Sequence, residues 1–151
     1  MIGRNHLKIG LSVALPTLNP VIIASSVVGS ILPDIDTHNS LVSQLTLFGG
    51  FPFCNLKHRG PTHSLLASAL VSLVSFVAFK NIDISLGVGL GYLSHLFADM
   101  LTVQGIQLLY PCDFKLKFGT NLKTGHKAED IVANIILIAC ALLSIKVSGI
   151  L

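Results

Sequence analysis

Charge is scarce in this chain. Asp, Glu, Lys and Arg together make up 11% of its 151 residues, against roughly 25% in a typical soluble domain. So few charges cannot cover a water-facing surface of this size, which excludes most cytosolic enzymes and nearly all nucleic-acid binders. The net charge of +3 is too small for a nucleic-acid footprint. Cysteine is scarce as well. Cys54, Cys112 and Cys140 lie far apart and form no CxxC pair. Their odd number fits no complete disulfide framework, and they read as small apolar residues. Internal repeats, low-complexity tracts and long linkers are missing. The length suits one domain over residues 1–151.

Apolar residues are abundant. They reach 52% before the 13 glycines are counted, where soluble proteins have roughly 45–50% with glycine included. Mean hydropathy is +0.77. Disorder needs the opposite composition, so the class is an integral membrane protein. Four apolar segments stand out: Leu7–Leu32, Ser64–Phe79, Ile84–Leu101 and Ile131–Val147. A spanning helix needs roughly 20 mostly apolar residues. The last three approach that length with their flanks. The first contains Pro16 and Pro20, and proline removes a backbone donor and breaks or kinks a helix. It is either one kinked span or two short helices in a re-entrant hairpin. Its apolar stretch is too long for the core of a cleaved signal peptide. The expected fold is all-α, a helical membrane bundle of three or four spans, because long non-alternating apolar runs do not suit a barrel.

Lys and Arg set the expected orientation. With one kinked span, the long loops carry Lys57, Arg59, Lys115, Lys117, Lys123 and Lys127, against Arg4, Lys8, Lys80 and Lys146 opposite. With a hairpin, Arg4 and Lys8 join the loop side, leaving Lys80 and Lys146 opposite. Both versions place the loops in the cytoplasm by the positive-inside rule, the hairpin more firmly. Gly87 and Gly91 form a GxxxG face. Small residues there allow close helix packing within the chain, or a homo-oligomer.

Ionisable residues in so apolar a chain are functional candidates. They fall in five clusters: Asn5-His6; Asp34-Ile35-Asp36 after Pro33; His58-Arg59-Gly60-Pro61-Thr62-His63; His95 with Asp99; and His126-Lys127-Ala128-Glu129-Asp130. Each has a plain reading. His6 can be solvated, the Asp pair can cap a helix exit, and Arg59 can snorkel. His95 and Asp99 can pair on one helix face, and Glu129 can complement a helix dipole. Pro61 and Thr62 look like a helix start, which would put His63 in a first helical turn. Together the clusters can converge at one membrane boundary, with His95 one turn deeper. His6 joins them only if the first segment is a hairpin. A His/Asp constellation without cysteine suits zinc first, then manganese or iron.

These clusters, in this order, resemble the YdjM family of bacterial inner-membrane proteins. The blocks that carry the resemblance are LPDID (32–36), HRGPTHSLL (58–66) and GYLSHLFADMLTVQGIQLLYPC (91–112), with His6 early and Gly125 to Glu129 late. Family members often have a His directly after the second Asp, where this chain has Thr37 and then His38. The resemblance implies a membrane-embedded metal-dependent hydrolase, with some members under the LexA-controlled SOS response. The pattern is also similar to zinc-dependent phospholipase C and nuclease-type enzymes. One or two divalent ions would be held by Asp34, Asp36, His63, His95 and Asp99, with His6, His58 and Glu129 next. Asp36 or Glu129 would be the general base, and Arg59 would stabilise negative charge on a phosphoryl or acyl oxygen. The substrate would be a lipid or another phosphodiester met at the membrane. The alternatives are a non-enzymatic ion or proton pathway and a purely structural metal site.

Overall fold

A computed structural model describes residues 1–36, 59–118 and 122–149. His58 and His38 lie outside the described residues, as does Cys54. The first apolar segment is two helices. α1 (Gly3–Ala14) stops before Pro16, and a short 3-10 turn, Leu15–Thr17, follows. Leu18 then adopts a left-handed φ of 54°. Asn19 caps α2 (Pro20–Gly29) by accepting from Val21 N at 2.9 Å and Ile22 N at 3.4 Å, and Pro20 supplies the preset φ of a first helical position. The chain therefore reverses, and α1 and α2 form an antiparallel hairpin. Ser26 closes it by donating to the Gly10 carbonyl at 2.7 Å.

Beyond α2, a 3-10 turn over Leu32–Asp36 carries the two aspartates. A second, Pro61–His63, precedes α3 (Leu65–Phe79). His63 is thus one step outside the helix, not in its first turn. The reason is Ser64, whose extended backbone and side-chain bond to Ala67 N make it the cap. Lys80, in a left-handed conformation, ends α3. Asn81 then caps α4 (Ile82–Met100) by accepting from Asp83 N and Ile84 N. α5 (Lys127–Val147) has Glu129 and Asp130 in its first turn and Lys146 in its last, as the helix dipole favours.

α4 is the central helix, packed by α1, α2 and α3, while α5 packs on α1. Glycine sets the closest approach. A methyl on Gly91 would lie 1.9 Å from the Ser26 carbonyl oxygen, and one on Gly87 2.5 Å from that of Ile22. Both glycines therefore face α2 of the same chain. Within the chain the GxxxG face therefore packs on α2. At the far end Asn19 donates to Asp83 at 3.0 Å, which ties the hairpin tip to the start of α4.

The interior is polar and the outside apolar. Among the described residues 18 buried side chains are polar or charged and nine are apolar. Leu66, Leu70, Leu73, Val74 and Val77 of α3 are exposed, as are Ile131, Ile135, Ile138 and Leu142 of α5. Soluble monomers rarely show such continuous apolar faces. Among the described residues one helix, α5, is long and apolar enough to cross a membrane, and α3 is a shorter apolar helix of 15 residues. The described residues contain no strand, only isolated bridges at Thr102–Leu122 and Ile106–Leu116. The second bridge closes the loop after α4. That loop also receives the His turn and α3: Gln107 N donates to the Arg59 carbonyl at 3.3 Å, and Leu65 N to that of Leu108 at 3.0 Å.

Candidate metal centre

Four separate stretches meet at one end of the bundle. α1 brings His6, the Asp turn Asp34 and Asp36, the His turn Arg59 and His63, and α4 His95 and Asp99. The hairpin is what carries His6 to the others. His6, His63 and His95 are all buried. The rings of His6 and His95 stack at 3.6 Å between centroids, with 12° between planes.

Hydrogen bonding fixes which nitrogens point inward. His95 Nδ1 lies 2.7 Å from the Ser30 carbonyl. A carbonyl only accepts, so Nδ1 carries the proton and Nε2 holds a lone pair. The Thr62 hydroxyl donates to Asp36 Oδ2 at 2.7 Å, so its oxygen is left to accept from His63 Nδ1 at 3.0 Å. Nε2 of His63 then holds a lone pair as well. The two Nε2 atoms are 3.2 Å apart. Lone pairs this close repel unless a cation lies between or beside them, either a proton or a metal ion. Asp34 Oδ1 is 3.6 Å from each of these nitrogens, and Asp99 Oδ2 is 3.7 Å from His63 Nε2.

Among the described residues two sets of donors are close enough to hold an ion: Asp34, His63 and His95, and His6, His95 and Asp99. Within each set the ligand atoms lie within 4.8 Å of one another. His6 has both ring nitrogens buried without a hydrogen-bond partner among the described residues. Its Nε2 is 3.5 Å from Asp99 Oδ1. Buried polar atoms are seldom left so without reason, and an imidazole awaiting a ligand is one. Nitrogen and carboxylate donors with no thiolate fit zinc, manganese or iron. Burial pushes the Asp34 carboxyl up. The neighbouring imidazoles of His63, His95 and His6 outweigh burial and hold it far below the usual carboxylate range. It is therefore ready to ligate without losing a proton.

Other expected residues are placed differently. Asp36 lies on the Nδ1 side of His63, 3.6 Å away, with its side chain fully buried. It backs the imidazole rather than facing the two Nε2 atoms. Arg59 is 7% exposed, with Nε 3.2 Å from Asp99 Oδ2 and Nη1 donating to Thr102 at 2.8 Å. Its guanidinium is the counter-ion of Asp99. Glu129 is outside both donor sets. It accepts from Ile2 N, from Asn5 at 3.0 Å and from Gly125 N at 2.8 Å, which fastens the start of α1 to the start of α5. The Met1 amine contacts Asp99 Oδ1.

The model of the YdjM inner membrane protein family matches residues 1–150. The chain belongs to the YdjM family. YvsG of Bacillus subtilis (strain 168) is 30% identical over 148 residues, covering 93% of this chain and 92% of that protein. The inner membrane protein YdjM of Escherichia coli (strain K12) is 37% identical over 102 residues, covering 64% of this chain and 52% of that protein. That of Shigella flexneri gives the same figures. This chain thus spans about half the length of the two enteric relatives. No solved structure matches it. Residues beyond the expected set also build this YdjM-family centre. Thr62 and Asn5 sit inside the motifs already singled out, so adjacency to His63 and His6 was their signal. The Ser30 carbonyl had none, because a backbone acceptor leaves no mark in sequence.

Proposed function

We propose that this chain is a multi-pass membrane hydrolase that uses a divalent ion, zinc before manganese or iron, at a site on the cytoplasmic side. The observation that carries this reading is the pair of Nε2 atoms at 3.2 Å, with both Nδ1 atoms engaged elsewhere and Asp34 beside them. His63, His95 and Asp34 would hold the ion, with His6 and Asp99 as the adjoining set. His95 has one free nitrogen and belongs to both sets, so it serves one ion. A bound divalent ion supplies a water whose pKa falls from 15.7 toward about 7.

The remaining work falls to the chain. Asp34, with a side chain 17% exposed, is the member of the two sets that solvent reaches, so it lies where water enters. Its carboxylate would accept a hydrogen bond from that water and orient it; Asp36, behind His63, and Glu129, held by three N–H donors, lie away from this position. Asp36 and Thr62 hold His63 in the tautomer that presents Nε2, and Ser30 does the same for His95; such partners tune ligand affinity. Arg59 compensates the buried charge of Asp99. In the hydrolysis the water oxygen bonds to an acyl carbon or phosphorus, the ester bond breaks, and the proton passes to the leaving alkoxide.

The spans follow from length and charge. At 1.5 Å per residue, α5 with its 21 residues is about 31 Å long, close to a hydrocarbon core of about 30 Å. α4 and α3 would cross with it, α4 with its polar face turned inward. The hairpin lies against α4, so Arg4 and Lys8 join the loop side. That would leave Lys80 and Lys146 opposite, a bias that supports a site on the cytoplasmic side.

The test is metal content of the detergent-purified full chain, with His63→Ala and Asp99→Ala alongside. A stoichiometric divalent ion in the parent, lost from both variants, supports the reading. Absence of any ion after reloading refutes it. Chelation that unfolds the chain, with no hydrolysis of any lipid ester or phosphodiester by the loaded protein, would leave a structural metal site in its place.

A further inference from the structure

Beside the ligand cluster runs an apolar groove of about 520 Å³, inside the range of small-molecule sites. It is lined by Leu32 and Ile35 of the Asp turn, Thr62 of the His turn, Ala67 and Val71 of α3, and Tyr92 of α4. Among the described residues, none that lines the groove carries a charge. The Tyr92 hydroxyl is spent on the Thr62 carbonyl.

Two features give the groove a direction. At one end it shares its turns with the ligands. Ile35 lies between Asp34 and Asp36, and Thr62 adjoins His63 and donates to Asp36. Asp34 and the imidazoles of His63 and His95 lie at this end. At the other end its wall includes Leu66 and Leu70, 54% and 52% exposed on the outer face of α3. The groove is thus continuous with the apolar surface that faces lipid in the proposed arrangement. A ligand that matches both ends is apolar along its length and polar at one tip.

We propose that the groove holds one acyl chain of a bilayer phospholipid, which enters from the α3 face and brings its ester or phosphodiester linkage to Asp34 and His63. This rests on the hydrolase reading and names its substrate class, long-chain phospholipids. Water-soluble phosphodiesters would leave the groove unfilled and gain nothing from its apolar walls. A whole headgroup would find no polar partner there except Thr62, Ser64 and the tyrosines.

The test uses the full chain in phosphatidylcholine nanodiscs doped with a phosphatidylcholine that carries a photoreactive diazirine on its acyl chain. After illumination, adducts are mapped by peptide mass spectrometry. Ile35 and Val71 should be labelled several-fold more than Ile135 and Ile138 of α5, each 60% exposed. Ala67→Phe fills the groove and should reduce that labelling several-fold, with bound metal unchanged. Leu70→Trp, at an exposed position, makes the same block if Ala67→Phe fails to insert. Equal labelling of groove and α5, or groove labelling undiminished in both variants, overturns the proposal. Metal content is read on the same samples. Groove labelling without any bound ion would overturn the hydrolase reading and the substrate assignment while leaving the acyl chain in its groove.

Discussion

Gly91→Ala should disable the ligand cluster without touching a ligand. The added methyl would lie 1.9 Å from the Ser26 carbonyl oxygen, and 2.8 Å from both Ser26 C and Ser30 N. Ordinary contact begins near 3.4 Å, so α2 and α4 must separate by about 1.5 Å there. All three obstacles are backbone atoms, which cannot rotate away. Ser30 is the residue whose carbonyl holds His95 Nδ1 at 2.7 Å, and His95 is one helical turn from Gly91. A shift of that size exceeds what the bond tolerates. Overpacking of this kind costs about 1–3 kcal/mol, and the lost orientation of His95 lowers metal affinity by about 10–100-fold. Gly89→Ala is the matched control. Its methyl would meet Ser72 Oγ at 2.8 Å, the end of a side chain that can turn. Thermal unfolding in detergent and metal titration measure both effects. If Gly91→Ala matches Gly89→Ala in both, the backbone approach of α2 to α4 does not set the site.

Thr62→Val removes the hydroxyl between Asp36 and His63 and should weaken metal binding about 10–100-fold; Thr62→Ser should restore it, and failure of that rescue would assign the loss to packing. Glu129→Gln should lower stability by about 1–3 kcal/mol, because an amide nitrogen then faces N–H donors from Ile2, Asn5 or Gly125. Metal stoichiometry should be unchanged in that variant, and loss of the ion would return Glu129 to the ligand set. Chelation of the loaded protein should lower its melting temperature. An ion held at 100 times its dissociation constant contributes about 2.7 kcal/mol, so an unchanged melting temperature would argue against ligation by the folded state.

Much of this architecture was legible in the sequence, for identifiable reasons. Pro16, Asn19 and Pro20 carry the signals of a helix stop, a cap and a helix start, so the hairpin was one of two readings of the first segment. The almost purely aliphatic run of residues 131–147 made α5 plain. The helix over Ile84–Leu101 was clear in the same way, and it put His95 and Asp99 on one face. Pairwise roles were harder. Arg59 stands four residues before His63, yet its guanidinium turns to Asp99 on α4, a choice made by tertiary packing. Glu129 followed the pattern of a first-turn acid and was also weighed as a base. Its three donors come from residues 2, 5 and 125, two of them backbone N–H groups. No side-chain pattern encodes such partners. The start of α3 was misplaced by a short step, because Pro61 promised a helix and Ser64 delivered the cap.

The α1–α2 hairpin also bears on how the chain is built into a bilayer. It precedes α3, α4 and α5 in the chain, yet its inner face holds Asn5, His6 and Ser12, whose neighbours include residues made later. His6 stacks on a ring that lies 89 positions later, and Asn5 bonds to a carboxylate 124 positions later. Helices of 12 and 10 residues with such groups uncovered are poor candidates for insertion on their own. The hairpin must therefore wait at the membrane surface, or pass in with α4, until its polar face has something to meet. Of the helices described, the earlier pair would be the later to settle.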